Sequence, residues 1–406
     1  MNRIGAWLIG ARGTMASTAV LGSRAIVHGL ADSGGLVTEL PDLAPLPLVG
    51  LDQLVFGGWD VGTRTILERA RTLANEDRAL PPGLVAALED DLRAADLRVR
   101  DGYFDNGGPA TRGLSQTVRG RKRESLSATV TRLGDDLDRF RADNRLDTVI
   151  VVNVASTEPT IRLDADHERL ESFQRLIQLD RRNRLTPSMV YAYAALDRGY
   201  PYVNFTPSLG ITPTALQLLG RKNHVPYYGC DGKTGETLVK TVLAPLFRCR
   251  NLEVISWEGF NILGGGDGEV LSNPRHKQTK LRSKAGVLPA TLGYAPHAKV
   301  AIEYVPSLGN WKTAWDHIHF RGFMGTKMSA QFIWQGCDAI LAAPLVLDLI
   351  RLTEFAHRRG QAGPMPHLAC FFKSPMGVTE HAFSDQFHAL LDYVDRYGAK
   401  TGNGRR

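Results

Sequence analysis

The chain has 406 residues, a formal charge of +7 and a pI near 9.2, with 43% apolar and 22% charged residues. That is an ordinary globular composition, and the length predicts two domains or one elaborated domain. The positive balance suits a phosphorylated metabolite; without an aromatic-interleaved basic stripe it argues against nucleic acid as a partner, and no window nears the roughly 20 apolar residues of a membrane span. Cys230, Cys249, Cys337 and Cys370 stand singly, which speaks against a disulfide framework or a cysteine zinc site and fits a reducing cytoplasm.

In chain order, Ile4 to Ile9 is a short apolar run that breaks at Gly10 and passes into a helical pattern through His28. This suits a buried first strand better than a signal peptide. Strand, glycine turn and helix start form the first unit of a dinucleotide-binding fold, in which backbone approaches a pyrophosphate at a helix N-terminus. The strict G-x-G-x-x-G is absent, since Arg12 and Met15 take two of its positions. Pro41 to Leu51 reads as a loop, and Leu54 to Trp59 as a second strand ending near Asp60. Asp60 is placed to hold a ribose hydroxyl or, alternatively, to cap the next helix.

Leu84 to Leu97 and Ser125 to Asn144 predict amphipathic helices, separated by a polar, loop-like stretch from Arg98 to Glu124. Thr148 to Val152 is a β-branched run typical of a fully buried parallel strand, and it ends in Asn153 to Pro159. A helix over 165–182, the 188–196 segment and a strand over 202–205 continue the βαβ rhythm. A strand near Val225 to Tyr228 then meets Asp231-Gly232-Lys233-Thr234-Gly235-Glu236 and a helix carrying Lys240. The glycine spacing is wrong for a P-loop, although phosphate on free backbone N–H groups still suits a helix start here.

From Leu252 the texture changes to short strands, over 252–256, 300–305 and 312–320. Between the first two lies a Gly-Gly-Gly-Asp-Gly turn (264–268), followed by Lys277, Lys280 and Lys284. Lysine is scarce in this chain: twelve against thirty-seven arginines, with nine of the twelve between Lys222 and Lys327. A desolvated lysine can give up a proton and an arginine cannot, so the cluster is a candidate for amine chemistry, with a solvated basic loop as the alternative. Gly336 to Phe355 predicts a long apolar helix, Met365 to Phe372 a buried strand delivering Lys373, and Phe383 to Tyr397 an amphipathic helix.

Taken in order, LIGARGTMAST, FGGWDV, VVNVASTEP, YVNFTP, DGKTGETLVKT, NILGGGDG, the Lys280/Lys284 pair, GNWKTAWDH, CDAILAAPLVLD and FFKSP resemble the inositol-1-phosphate synthase family, nearest its compact prokaryotic form. The resemblance covers nearly the whole chain. It implies an α/β fold: a Rossmann-like doubly wound parallel sheet (residues 1–244, completed by 336–406) with an inserted α+β catalytic and tetramerisation domain (245–335).

It also implies a redox-neutral isomerase in the cytoplasm. Bound NAD oxidises C5 of glucose 6-phosphate, C6 is enolised and attacks C1, and C5 is reduced again to give an inositol monophosphate. The implied catalytic set is Lys280, Lys284, Lys312, Lys373 and Asp267. The implied cofactor contacts are Gly10, Arg12, Gly13, Thr14, Met15, Asp60, Ala155, Ser156, Thr157, Asp231 and Asp338, and the substrate contacts Thr234, Gly235, Asn261, Lys284 and Lys312. A divalent metal or a monovalent cation stays open as a second cofactor, and a homotetramer is the implied assembly. Gly265 and Gly266 stand where relatives carry larger residues, which leaves room for an alternative sugar. Fructose 6-phosphate closed by the same amines gives a five-membered cyclitol phosphate.

Overall fold

The structure, a computed structural model, describes residues 3–112 and 124–399, with side chains left out at 111–112 and 282–285. Eleven strands are present among these residues. They are β1 (Ile4–Ile9), β2 (Leu54–Asp60), β3 (Val99–Asp101), β4 (Thr148–Asn153), β5 (Tyr202–Asn204), β6 (Pro226–Gly229), β7 (Glu253–Leu263), β8 (His297–Tyr304), β9 (Trp311–Arg321), β10 (Lys327–Cys337) and β11 (Gly363–Pro364).

Seven of them form one parallel sheet in the order β11-β6-β5-β4-β1-β2-β3. The order reverses at β1, between β2 and β4, which is the doubly wound arrangement with a crevice at the strands' C-terminal ends. Both faces of this sheet are buried, so its central strands are apolar without alternation. Ala6, Leu8, Ile150 and Val152 face one core, with the long helix Asp338–Arg358; Trp7, Ile9, Val149 and Val151 face the other. Helix Pro187–Asp197 is buried at ten of its eleven positions, which removes the amphipathic period that marks a helix in sequence.

The remaining four long strands form a mixed sheet in the order β10-β9-β7-β8. Antiparallel pairs join β9 to β7 and β10, while β7 runs parallel to β8. These strands run 8 to 11 residues rather than being short. The fold class is therefore as expected, a Rossmann-like parallel sheet with a separate mixed sheet.

Several local expectations change. The glycine run is not a turn, nor is the lysine stretch a loop. Gly265–Leu271 and Pro274–Ala285 are helices, the second capped by Asn273, whose side chain accepts from the Arg275 N–H at 3.1 Å. Proline at the first helical position completes that start signal. Met365–Phe372 is not a strand: Pro366–Phe371 is a buried 3₁₀ helix, and the sheet gains only the two-residue β11 just before it. The helices expected at 84–97 and 165–182 are each broken, into Leu84–Ala87 and Glu89–Asp96, and into Ala165–Glu168 and Leu170–Gln178. The polar stretch after Arg98 holds β3; its residues 113–123 lie outside the described residues.

Candidate active site

The loops after β1, β4 and β6 share the C-terminal edge of the parallel sheet. Gly10 has φ +82°, and a Cβ there would lie 2.8 Å from Ala155 Cα, so the first two loops touch through a backbone only glycine fits. Gly13 and Thr14 begin helix Thr14–Val27, which has no side-chain cap and no acid in its first turn. A bare helix start against a glycine cradle fits the pyrophosphate of a dinucleotide. Met15 lies in that first turn. Asp60 closes β2, and its carboxylate accepts the Arg12 and Gly62 N–H groups, each at 2.7 Å. Burial raises its pKa against those bonds. The Arg12 guanidinium is tied to Asp96 at 3.0 Å rather than reaching toward the helix start.

On the β6 side, two chain segments zip together. Cys230 N–H donates to Ser374 O (3.0 Å), Lys373 N–H to Asp231 O (2.7 Å) and Lys233 N–H to Phe371 O (2.8 Å). This pairing sets Asp231 beside Lys373, two residues 142 apart in sequence, with Lys373 Nζ 3.0 Å from Asp231 Oδ1. Lys280, from helix Pro274–Ala285, approaches the same oxygen at 3.8 Å. Lys312 on β9 pairs with Asp338 Oδ2 at 3.3 Å, where β10 ends and the long helix begins. Register explains that pair, because Lys312 lies opposite Gly336, two residues before Asp338.

These neighbours divide the amines by charge. Burial disfavours the charged form of Lys280, but Asp231, Asp267 and Asp338 outweigh it and hold its pKa above the ordinary lysine value. Lys373 goes the other way: burial lowers it, with Lys280 and Lys312 adding to the shift against Asp231. Asp338 is held below the usual carboxylate range, its burial outweighed by Lys312, Lys280 and Lys373. One amine is thus favoured as the ammonium and the other less so, a division of the kind acid–base work on developing oxyanions uses.

A family model described as myo-inositol-1-phosphate synthase, NAD-binding, matches residues 4–394. The chain belongs to the myo-inositol-1-phosphate synthase family. It is similar to inositol-3-phosphate synthase 1 of Bacteroides thetaiotaomicron, 33% identical over 94% of this chain and 91% of that protein. The inositol-3-phosphate synthase of Trypanosoma brucei brucei is 30% identical over 80% of this chain and 63% of its own length. Among solved structures, inositol-3-phosphate synthase from Caenorhabditis elegans superposes with a TM-score of 0.87 at 23% identity, over 97% of this chain and 85% of that one. A myo-inositol-1-phosphate synthase-related protein from Thermotoga maritima gives 0.79 at 23% identity, over 97% and 99%. Both carry the same fold.

Of the other residues expected in a family site, Ser156 and Thr157 follow β4, beside Ala155. Asp267 is in the first turn of helix Gly265–Leu271. Thr234 is the N-cap and Gly235 the first residue of the helix that runs to Cys249. Asn261 is buried on β7, its amide 3.4 Å from Ala301 O. Lys284 lies on the Lys280 helix; its side chain is outside the described residues. Lys277 pairs with Glu303 at 3.3 Å. No cluster of three or more His, Cys, Asp or Glu suited to a metal occurs among the described residues.

Two features were not anticipated. The indole Nε1 of Trp334, on β10, is buried without a hydrogen-bond partner and would lie 3.5 Å from a Cβ on Gly235, at the bare helix start. The second is Glu236, in the first turn of that helix. Its carboxylate bonds Lys240, which also reaches Asp316 at 3.2 Å, and Trp257 donates to Asp316 at 2.7 Å. This buried cluster ties the helix to the mixed sheet, and mostly by burial it pushes the Asp316 pKa up to about 6.

Proposed function

We propose that the chain converts D-glucose 6-phosphate to 1L-myo-inositol 1-phosphate. The observation that carries this reading is the single carboxylate of Asp231 approached by Lys280 and Lys373, with the Lys312–Asp338 pair alongside, at the crevice edge of a dinucleotide-type sheet. Bound NAD supplies the oxidation of C5 and its reversal, held by the 10–15 turn, Asp60, the 155–157 loop, Asp231 and Asp338. The substrate phosphate sits on the N–H groups that open helix Gly235–Cys249, with Thr234, Lys284, Lys312 and the Trp334 indole N–H as further donors. Asn261 borders the sugar.

Lys280, kept as an ammonium, holds O5 and the enolate oxygen with Lys312, while Lys373 hands a proton to O1 as the C6–C1 bond forms. Asp231, Asp267 and Asp338 keep the amines apart and oriented. Removing one such donor from a water-excluded site costs on the order of 10²–10³ in rate.

The mixed sheet, assigned to the 245–335 catalytic and assembly domain, leaves an apolar face uncovered. Phe260 and Trp315 stack at 5.4 Å, and Ile333, opposite Trp315, is 69% exposed. Such a patch supports burial against another copy, and we propose a homotetramer. We place the enzyme in the cytoplasm, in keeping with four free cysteines; no helix among the described residues is long and apolar enough to cross a membrane.

Gly265 is fixed by φ +68° and by Asn310 Oδ1, 2.8 Å from where a Cβ would sit, but Gly266 faces open space. That space favours the five-membered alternative as a second reading. Incubation with NAD and either glucose 6-phosphate or fructose 6-phosphate, with the product identified by NMR, separates the two. An inositol monophosphate from glucose 6-phosphate without net NADH supports the first. A cyclitol from the ketose alone supports the second.

A further inference from the structure

The helix that delivers Lys280 is fastened to the crevice at two points upstream of the lysine. His276 is fully buried, and its Nδ1 lies 2.7 Å from the Thr157 carbonyl. A carbonyl only accepts, so Nδ1 carries the proton in this bond. One position before the lysine, Thr279 Oγ1 accepts the Thr160 N–H at 3.2 Å. The two bonds run in opposite directions, helix to loop and loop to helix, and so define both height and rotation.

The loop they grip is itself anchored from below. The Glu158 carboxylate accepts the Ser188 N–H at 2.9 Å and its hydroxyl at 2.6 Å, and the Glu158 N–H donates to Ser208 Oγ at 3.0 Å. The far side of the His276 ring rests on Gly108, where a Cβ would come within 2.5 Å of Nε2. His276 and Lys280 are four residues apart and share one helix face.

We propose that His276 and Thr279 are positioning residues. They register the Lys280 helix against the loop after β4, so that the amine meets the Asp231 carboxylate at the edge where the nicotinamide and sugar would sit. This rests on the reading of Lys280 as a catalytic amine. Its chemical content is narrow: the Nδ1–H donor of His276 and the hydroxyl acceptor of Thr279 matter, beyond the volume these side chains fill. A displacement near 1 Å at a reacting group is enough to cost about 10²-fold in rate.

The test compares isosteres in the full chain. His276→Asn keeps a donor near Nδ1, whereas His276→Leu keeps the bulk and loses it; Thr279→Ser and Thr279→Val form the matching pair. Three quantities are read: NAD-binding sites per chain with their Kd, turnover per NAD-occupied site, and amide hydrogen exchange across residues 274–285 in the free protein.

The expectation for His276→Leu is a fall of about 10- to 100-fold in turnover per occupied site. NAD affinity stays within about threefold and exchange across 274–285 quickens. His276→Asn and Thr279→Ser stay within about threefold of the parent on every measure. The Leu/Val double variant loses less than the product of its parts, because both bonds serve one register. A His276→Leu protein with fewer occupied sites but normal turnover at each overturns the proposal, since that is loss of fold alone. So does a His276→Asn protein as impaired as His276→Leu. If the parent protein turns over no hexose phosphate, the functional reading fails. The exchange comparison then still decides whether the two bonds hold the helix.

Discussion

Replacing Asp231 by Asn keeps a side-chain oxygen for Lys373 and removes the charge that both Lys373 and Lys280 share. At 3.0 and 3.8 Å, a carboxylate and an ammonium attract by about 4–6 kcal/mol at an effective dielectric of 20. The amide dipole and relaxation of the two lysines recover part of this, and the pKa of Lys373 falls below its parent value.

The sign follows from the charge. Without the anion the protonated amine is less favoured, so Lys373, already lowered in the parent, loses its proton at a lower pH. If that proton goes to O1, the alkaline limb of the kcat profile moves toward acid, and Asp231→Asn recovers activity as the pH is lowered. The assay is product formation at saturating substrate across the pH range, with bound NAD measured at each pH. A limb that stays in place while kcat falls equally at every pH refutes the assignment of Lys373 as the proton-carrying amine.

Three further outcomes follow from the same geometry. Lys373→Met lowers turnover by about 10³-fold or more while NAD still binds within about threefold of the parent, checked by cofactor titration. Gly10→Ala forces a side chain into a φ +82° backbone, 2.8 Å from Ala155. It costs about 1–3 kcal/mol of stability and weakens NAD about 10-fold or more, measured by melting with and without cofactor. Trp334→Phe removes one donor to an anionic group, so KM for the sugar phosphate rises about 10-fold while kcat stays within about twofold; an unchanged KM removes Trp334 from the phosphate site.

Much of the parallel sheet could be read from residue order, because strands buried on both faces announce themselves as continuous apolar runs. Ile4–Ile9 and Thr148–Asn153 were legible for that reason, and helix Phe383–Tyr397 by its amphipathic period. The mixed sheet was harder. In β10 the inward residues Ala330, Phe332 and Trp334 do alternate, but Ile333 on the open face turns the pattern into an unbroken Phe-Ile-Trp run. An apolar residue on an uncovered face breaks the alternation by which a half-buried strand is read.

The glycine run misled differently. Glycine at a positive φ usually marks a turn, but Gly265 uses it to enter a helix packed against Asn310. Lys280 stood out by the scarcity of lysine, and Lys312 and Lys373 by the family resemblance, whereas which carboxylate each amine meets was not legible. It depends on the zipper between residues 230–233 and 371–374 and on the β9–β10 register. His276 gave no signal in sequence, since a histidine in a basic helix reads as surface until the loop beneath it is in place.

In the proposed reaction the carbon skeleton closes between C6 and C1. Glucose 6-phosphate labelled with ¹³C at both positions, incubated with the protein and NAD, tests it most directly. The expected product is an inositol monophosphate in which the two labels show one-bond carbon–carbon coupling, with no NADH accumulating. Labels that show no one-bond coupling, as in unreacted sugar or in a five-membered ring closed between C6 and C2, contradict it.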